Sequence, residues 1–213
     1  MTITVTTADA AENLDRAGGR VMRLLVDADA TGPRLSVVSC EAPAGEAGPP
    51  LHIHPGTDEL FLVQGGTLLL HADGATHRLG PGAAAFVPRG TAHTFASGPG
   101  EPVRFLTVHT PGGFEQMHRD VCRAEREAGR AFGPAEIMPI AARHDWSFAG
   151  PPLLPSGELA PVPGGAPGAA RPSRRPGRPR AWPADLDGPG GTGSNGKQNY
   201  FLGFVTAARG PPG

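Results

Sequence analysis

Cysteine is scarce in this chain: Cys40 and Cys122 are the only two among 213 residues. A framework of disulfides is excluded on that count, and a reducing cytoplasm is the expected setting, with both thiols read as ordinary buried groups. Net charge is nearly absent as well, at -1. No global field draws the chain to nucleic acid or to an anionic membrane. Long apolar runs are missing too, so no bilayer-spanning segment is expected. The opening stretch, MTITVTTADAAENLDRAGG, lacks a basic region followed by an apolar one, and no signal peptide is expected there.

Glycine and proline, by contrast, are abundant: 32 and 25 residues, together more than a quarter of the chain. Their distribution is uneven and suggests three regions. Residues 1–18 read as a loose leader. From 19 to about 110, short β-like runs alternate with turn residues, at 20–26, 34–42, 51–54, 59–64, 67–72, 76–79, 83–88, 93–97 and 103–110. Many short strands separated by Gly65-Gly66, Asp73-Gly74 and Gly80-Pro81-Gly82 indicate an all-β sandwich or barrel. A helix is predicted over 113–128, where Phe114, Met117, Val121 and Cys122 share one face. A second is predicted near 134–143, interrupted by Pro139. Both are expected to cover the open side of the β domain, which is drawn as 19–155. Residues 156–213, including PVPGGAPGAARPSRRPGRPR, show almost no apolar periodicity and are read as a disordered, Gly/Pro-rich tail.

The chemistry concentrates in two segments. In PPLHIHPGTDELFLVQGG (49–66), His52 and His54 stand at i and i+2, which on a strand puts both imidazoles on one face. Leu51 and Ile53 then point the other way. Glu59 follows at the head of the next run and can close on the same point. Asp58 competes as the carboxylate, but spacing and strand phase favour Glu59. In GPGAAAFVPRGTAHTFAS (80–97), a turn at Val87-Pro88-Arg89-Gly90 leads into His93, the fourth candidate ligand. Mixed imidazole and carboxylate sets suit divalent transition metals. His71, His77 and His109 lie in strands without partner spacing and are read as structural, while His118 and His144 are read as surface residues.

These segments resemble the two motifs of the cupin superfamily. The first motif is matched by His52-Ile53-His54, Glu59 and Gly66, the second by Gly82, Pro88, Gly90 and His93. Two positions depart. Glu46 stands where the first motif's leading glycine belongs, with Gly45 and Gly48 nearby, and Ser97 stands where the second ends in Asn. The 15 residues between the motifs (67–81) suit a small bacterial single-domain cupin.

The resemblance implies a double-stranded β-helix, or jelly-roll barrel, holding one divalent ion (Fe, Mn, Ni, Co, Cu or Zn) on His52, His54, Glu59 and His93. The stretches at 49–66 and at HTPGGFE (109–115) are similar to quercetin dioxygenase-like cupins. That similarity implies a dioxygenase acting on a small enol or flavonol-like substrate, with Glu59 as general base. A metal-dependent isomerase or epimerase of a small sugar or keto acid is the alternative, as is a non-catalytic ligand binder. Phe61, Val63 and Phe95 share strand phase with the ligands and are expected to line the pocket. A homodimer through strand faces such as Leu60/Leu62 or Leu68/Leu70 is expected. The basic run RRPGRPR (174–180) loosely resembles an AT-hook, but Pro176 stands where that core has Arg and only one copy is present, so nucleic acid is not an expected partner.

Overall fold

The computed structural model describes residues 3–7, 9–16 and 19–161. Eleven strands are described: β1 (Glu12–Asn13), β2 (Val21–Val26), β3 (Ser36–Ala42), β4 (Pro50–Ile53), β5 (Asp58–Gly65), β6 (Leu68–Ala72), β7 (Ala75–Leu79), β8 (Ala84–Val87), β9 (His93–Ser97), β10 (Val103–Thr110) and β11 (Ser147–Pro152). Three helices accompany them: α1 (Ala28–Thr31), α2 (Glu115–Ala128) and α3 (Pro134–Ala141). The strands form two antiparallel sheets, in the orders β1-β2-β3-β10-β5-β8 and β11-β4-β9-β6-β7. The architecture is the mostly-β, two-sheet arrangement expected from the sequence.

Period-two alternation decides which side chains enter the barrel. In β5, Glu59, Phe61 and Val63 are buried while Leu60 and Leu62 are only partly covered. In β10 the buried set is Val103, Phe105, Thr107 and His109. Register pairs His109 with Glu59, Thr107 with Phe61, and Phe105 with Val63. The interior is therefore graded: carboxylate and imidazole at one end, aromatic and aliphatic groups at the other. Phe61, Phe95 and Phe105 pack edge-to-face or tilted at the apolar end, with ring centroids 5.4–6.2 Å apart. Arrangements of that kind contribute about 0.5–1.5 kcal/mol per pair beyond area burial.

Two glycines are dictated by contact. A Cβ on Gly48 would lie 1.4 Å from the carbonyl oxygen of Phe95, so this residue, near the displaced glycine of the first motif, is where two backbones meet. Gly66 has φ +71°, and its Cβ would sit 2.2 Å from the Pro102 oxygen. Because backbone cannot yield as a side chain does, Gly48→Ala is expected to cost at least about 1–3 kcal/mol. That corresponds to a fall of roughly 3–10 °C in a thermal melt. An unchanged melting temperature would contradict the close approach.

Helix α2 begins two residues later than the predicted start and ends at the predicted Ala128, where Gly129 takes a left-handed cap. Its face of Phe114, Met117 and Val121 packs with Ile140 and Ala141 from α3 and with Trp146. Cys122 joins the barrel core instead, beside Leu14. Both cysteines are free and buried, and burial pushes the Cys40 thiol up to about 12, which keeps it protonated.

Three expectations need correction. The leader is not loose throughout: β1 pairs with β2, Leu14 is buried, and Arg16 reaches Glu125 at 2.7 Å. A two-residue strand is too short to show periodicity, and its value lies in the distant groups it meets. Leu68 and Leu70 are core residues, and Leu69 between them is covered by Leu153 and Leu159, so β6 offers no open face for a partner. Finally, residues 156–161 turn back on β11, with Leu154 and Ala160 N–H groups donating to Glu158 and Pro152 carbonyls at 2.8 Å. The remainder of the expected tail, 162–213, lies outside the described residues. Among the described residues, no helix is long and apolar enough to cross a membrane.

Candidate metal centre

The four expected ligands come together. His52 lies in β4 and His54 just past its end, Glu59 lies in β5, and His93 opens β9, directly opposite His52 in register. One ligand atom from each lies within 4.8 Å of all the others, and all four residues are buried. A spread of that size is compact enough for the four side chains to close on one ion. The His54 ring follows the strand rule although the strand has ended, because Gly90 N–H holds the His54 carbonyl at 2.8 Å.

Hydrogen bonds set the tautomers. Nδ1 of His52 donates to the Pro50 carbonyl at 2.8 Å, Nδ1 of His54 to Asp145 at 2.5 Å, and Nδ1 of His93 to Thr91 at 2.9 Å. With every Nδ1 proton committed to backbone, each Nε2 is left to present a lone pair, as a metal-binding imidazole must. The His54 Nε2 is buried and has no hydrogen-bond partner among the described residues. The His93 Nε2 lies 2.9 Å from Glu59 Oε2, so these two candidate ligand atoms face each other directly. Donor set, tautomers and the orphaned nitrogen all fit a divalent ion.

Electrostatics agree. Burial holds His52 neutral, down to about 3, and His93 and His54 reinforce it. Burial likewise lowers His54. Burial disfavours the His93 cation, yet the hydrogen bond and charge of Glu59 outweigh it and raise the ring above its ordinary value. Burial would raise Glu59, but His109 and His93 overcome it and hold the carboxyl well below its usual range. Glu59 is thus a carboxylate at neutral pH.

Asp58 turns away. Its carboxylate accepts two guanidinium hydrogen bonds from Arg89, at 3.0 and 2.8 Å, and the Arg89 backbone N–H at 2.8 Å. Those bonds hold it down to about 2. The sign follows: stabilisation is present above the ordinary value near 3.8 and is lost as pH falls toward 2. In chemical unfolding, wild type is expected to exceed Asp58→Asn at neutral pH and to match it by about pH 2. An equal difference at both ends would remove the pair from the account.

The centre opens into a cavity of about 390 Å³. Phe95 lines it as expected, but Phe61 and Val63 do not. Each two-residue step along β5 carries the chain away from Glu59, so these side chains fill the barrel behind the ligands. Two further groups reach the cavity that the sequence reading placed elsewhere. His109 is buried with its Nε2 3.3 Å from Glu59 Oε1, although neither ring nitrogen is aligned for a hydrogen bond. Its inward phase with Phe105 and Thr107 was the available signal. His118 lines the cavity from α2, one turn after Phe114. Trp146 stacks on His52, with centroids 5.7 Å apart, and Phe114 meets His54 edge-on at 4.3 Å. Nothing in the local pattern around Asp145-Trp146 signalled that role.

Comparison with known proteins agrees with this picture. Residues 38–109 match the family model described as Cupin domain. No curated protein matches the chain. Among solved structures, KdgF from Halomonas sp. is similar at 21% identity and TM-score 0.48, over 54% of this chain and 99% of that one. The polyketide cyclase RemF from Streptomyces resistomycificus is similar at 28% identity and TM-score 0.44, over 51% and 80%. A sugar phosphate isomerase of the cupin superfamily from Silicibacter pomeroyi is similar at 27% identity and TM-score 0.43, over 50% and 75%. The family match at residues 38–109 spans both motifs, so this stretch of the chain is similar to a cupin domain.

Proposed function

We propose that this protein is a metal-dependent enzyme of the quercetin dioxygenase-like type, using dioxygen on a small enol or flavonol-like substrate. One observation carries the reading: an ionised, buried Glu59 stands where a cluster of metal-ligand geometry meets a cavity walled by aromatic and aliphatic side chains. His52, His54, Glu59 and His93 are the residues that would hold the ion. A divalent ion bound there would stabilise the anion of a substrate hydroxyl. Glu59 would accept that hydroxyl proton, and His109, 3.3 Å from its other oxygen, would keep the carboxylate oriented. Phe114 and Trp146 exclude water from the imidazoles they cover. Phe95 offers a face for a flat substrate.

Dioxygen uptake by the metal-loaded protein with a panel of flavonols and enediols tests the reading. Uptake above the no-substrate rate is expected with at least one. A second reading, proton transfer without oxidation in the manner of an isomerase, is favoured by the His109–Glu59 pair, since a carboxylate beside an imidazole suits removal and return of a proton. Exchange of a substrate C–H with solvent deuterium, without uptake, would select it. Ligand binding with neither activity would select the non-catalytic reading. We also propose self-association through the outer face of β5, where Leu60 and Leu62 are half-covered and the cross-strand partner Phe86 is exposed. A monomeric mass in solution would reject it.

A further inference from the structure

Helix α2 brings to the cavity one imidazole that the metal centre does not use. His118 lines the cavity, and its ring meets Phe114 edge-on at 5.4 Å. Its Nδ1 is buried and has no hydrogen-bond partner among the described residues. Burial, aided by the charges of His109 and Arg16, holds the ring neutral, down to about 3. A neutral imidazole offers one N–H and one lone pair, and a buried polar atom left unmet is a cost the fold could avoid with an apolar residue. The same helix face does so at Met117 and Val121.

The arginines that line the cavity are already engaged. Arg16 binds Glu125 at 2.7 Å and Arg20 binds Glu46 at 3.1 Å. Phe95, Phe132, Ile137, Met138 and Trp146 give the wall an apolar, largely aromatic stretch. A sugar would leave most of its hydroxyls facing apolar carbon there. A flat aromatic would not, and about 390 Å³ lies within the range of small-molecule sites.

We infer that His118 is a specificity residue: it hydrogen-bonds a second hydroxyl or carbonyl on a flat aromatic ligand whose first oxygen lies at the Glu59 end of the cavity. The inference rests on the proposed function for the place of that first oxygen. The phenylalanine and tryptophan rings hold the body of the ligand, and His118 distinguishes ligands by the group they carry away from the metal centre.

The test is a binding titration of the metal-loaded protein, read by quenching of tryptophan fluorescence, since Trp146 lines the cavity. The probes are 3-hydroxyflavone and its analogues with one added hydroxyl, at the 7 or the 4′ position. Wild type is expected to bind at least one dihydroxy probe about tenfold more tightly than 3-hydroxyflavone. His118→Phe keeps a ring against Phe114 and is expected to remove that preference while retaining metal. His118→Asn, which places an amide near Nδ1, is expected to restore part of it. Should the Phe variant not fold, His118→Leu against His118→Asn makes the same comparison.

Failure of every probe to bind overturns the inference. So does the lack of a preference in wild type, or an undiminished preference in the apolar variant. Discriminating binding without dioxygen uptake would end the oxygenase reading and leave His118 assigned. Uptake with an undiminished preference in the apolar variant would do the reverse.

Discussion

His54→Ala is expected to lower bound divalent metal from about one ion per chain to less than roughly a tenth, measured by elemental analysis of the purified protein. This ligand is the most informative to remove. Its Nε2 is buried without a hydrogen-bond partner among the described residues, which leaves that lone pair open to a metal ion. Its Nδ1 is anchored on Asp145, whose own carboxylate still holds the Gly56 N–H at 2.8 Å, so the neighbouring loop keeps a second tie when the ring is gone. A thermal readout accompanies the count. Metal at a hundredfold its dissociation constant stabilises by about 2.7 kcal/mol. A chelator should therefore lower the wild-type melting temperature by roughly 5–10 °C. The variant, holding no ion, should not respond. Equal metal content in the two proteins would dissolve the candidate site.

Glu59→Gln is expected to reduce turnover by about 10²–10⁴-fold, the range associated with loss of a positioned general base. The substitution keeps size and one carbonyl oxygen, so metal content should fall far less than in His54→Ala. That contrast separates the two roles proposed for the residue. If Glu59 were only a ligand, turnover and metal would decline together and excess metal would restore both. If it also takes the substrate proton, fully loaded Glu59→Gln remains slow. Activity within a few-fold of wild type at full loading would rule out the proton-accepting role. The environment explains why this carboxyl suits the work: burial opposes its charge, and His109 and His93 hold it below its usual range. The proton acceptor and its neighbours form one coupled unit, so changes at His109 should act through Glu59.

Much of the fold was legible in the residues. The nine strands expected between 20 and 110 all formed, because turn-bounded β-prone runs are a local pattern, and in β3, β5 and β10 a buried face enforces alternation. The i, i+2 pair at His52 and His54 follows from the same rule. The terminal helix face was readable from its spacing. Legibility failed where an element is short or where its use lies far away in sequence. The two residues of β1 carry no period, and β11 is broken by Gly150 and two prolines, yet it pairs with β4 beside the ligands. Phe61 and Val63 had the correct phase for the interior but the wrong depth, because phase says which face a side chain takes and not how far down the barrel it sits.

By itself, then, the sequence determined an all-β barrel, its two motifs and four candidate ligands, since these depend on local periodicity and on residue types with few alternative uses. The tertiary structure alone decided what surrounds them. His109 meets Glu59 across a strand pairing, Trp146 reaches His52 from a loop nearly a hundred residues later, and His118 reaches the cavity because α2 packs over the barrel mouth. Those contacts arise from how distant elements close on one another, which depends on the summed packing of many residues and leaves no pattern along the chain.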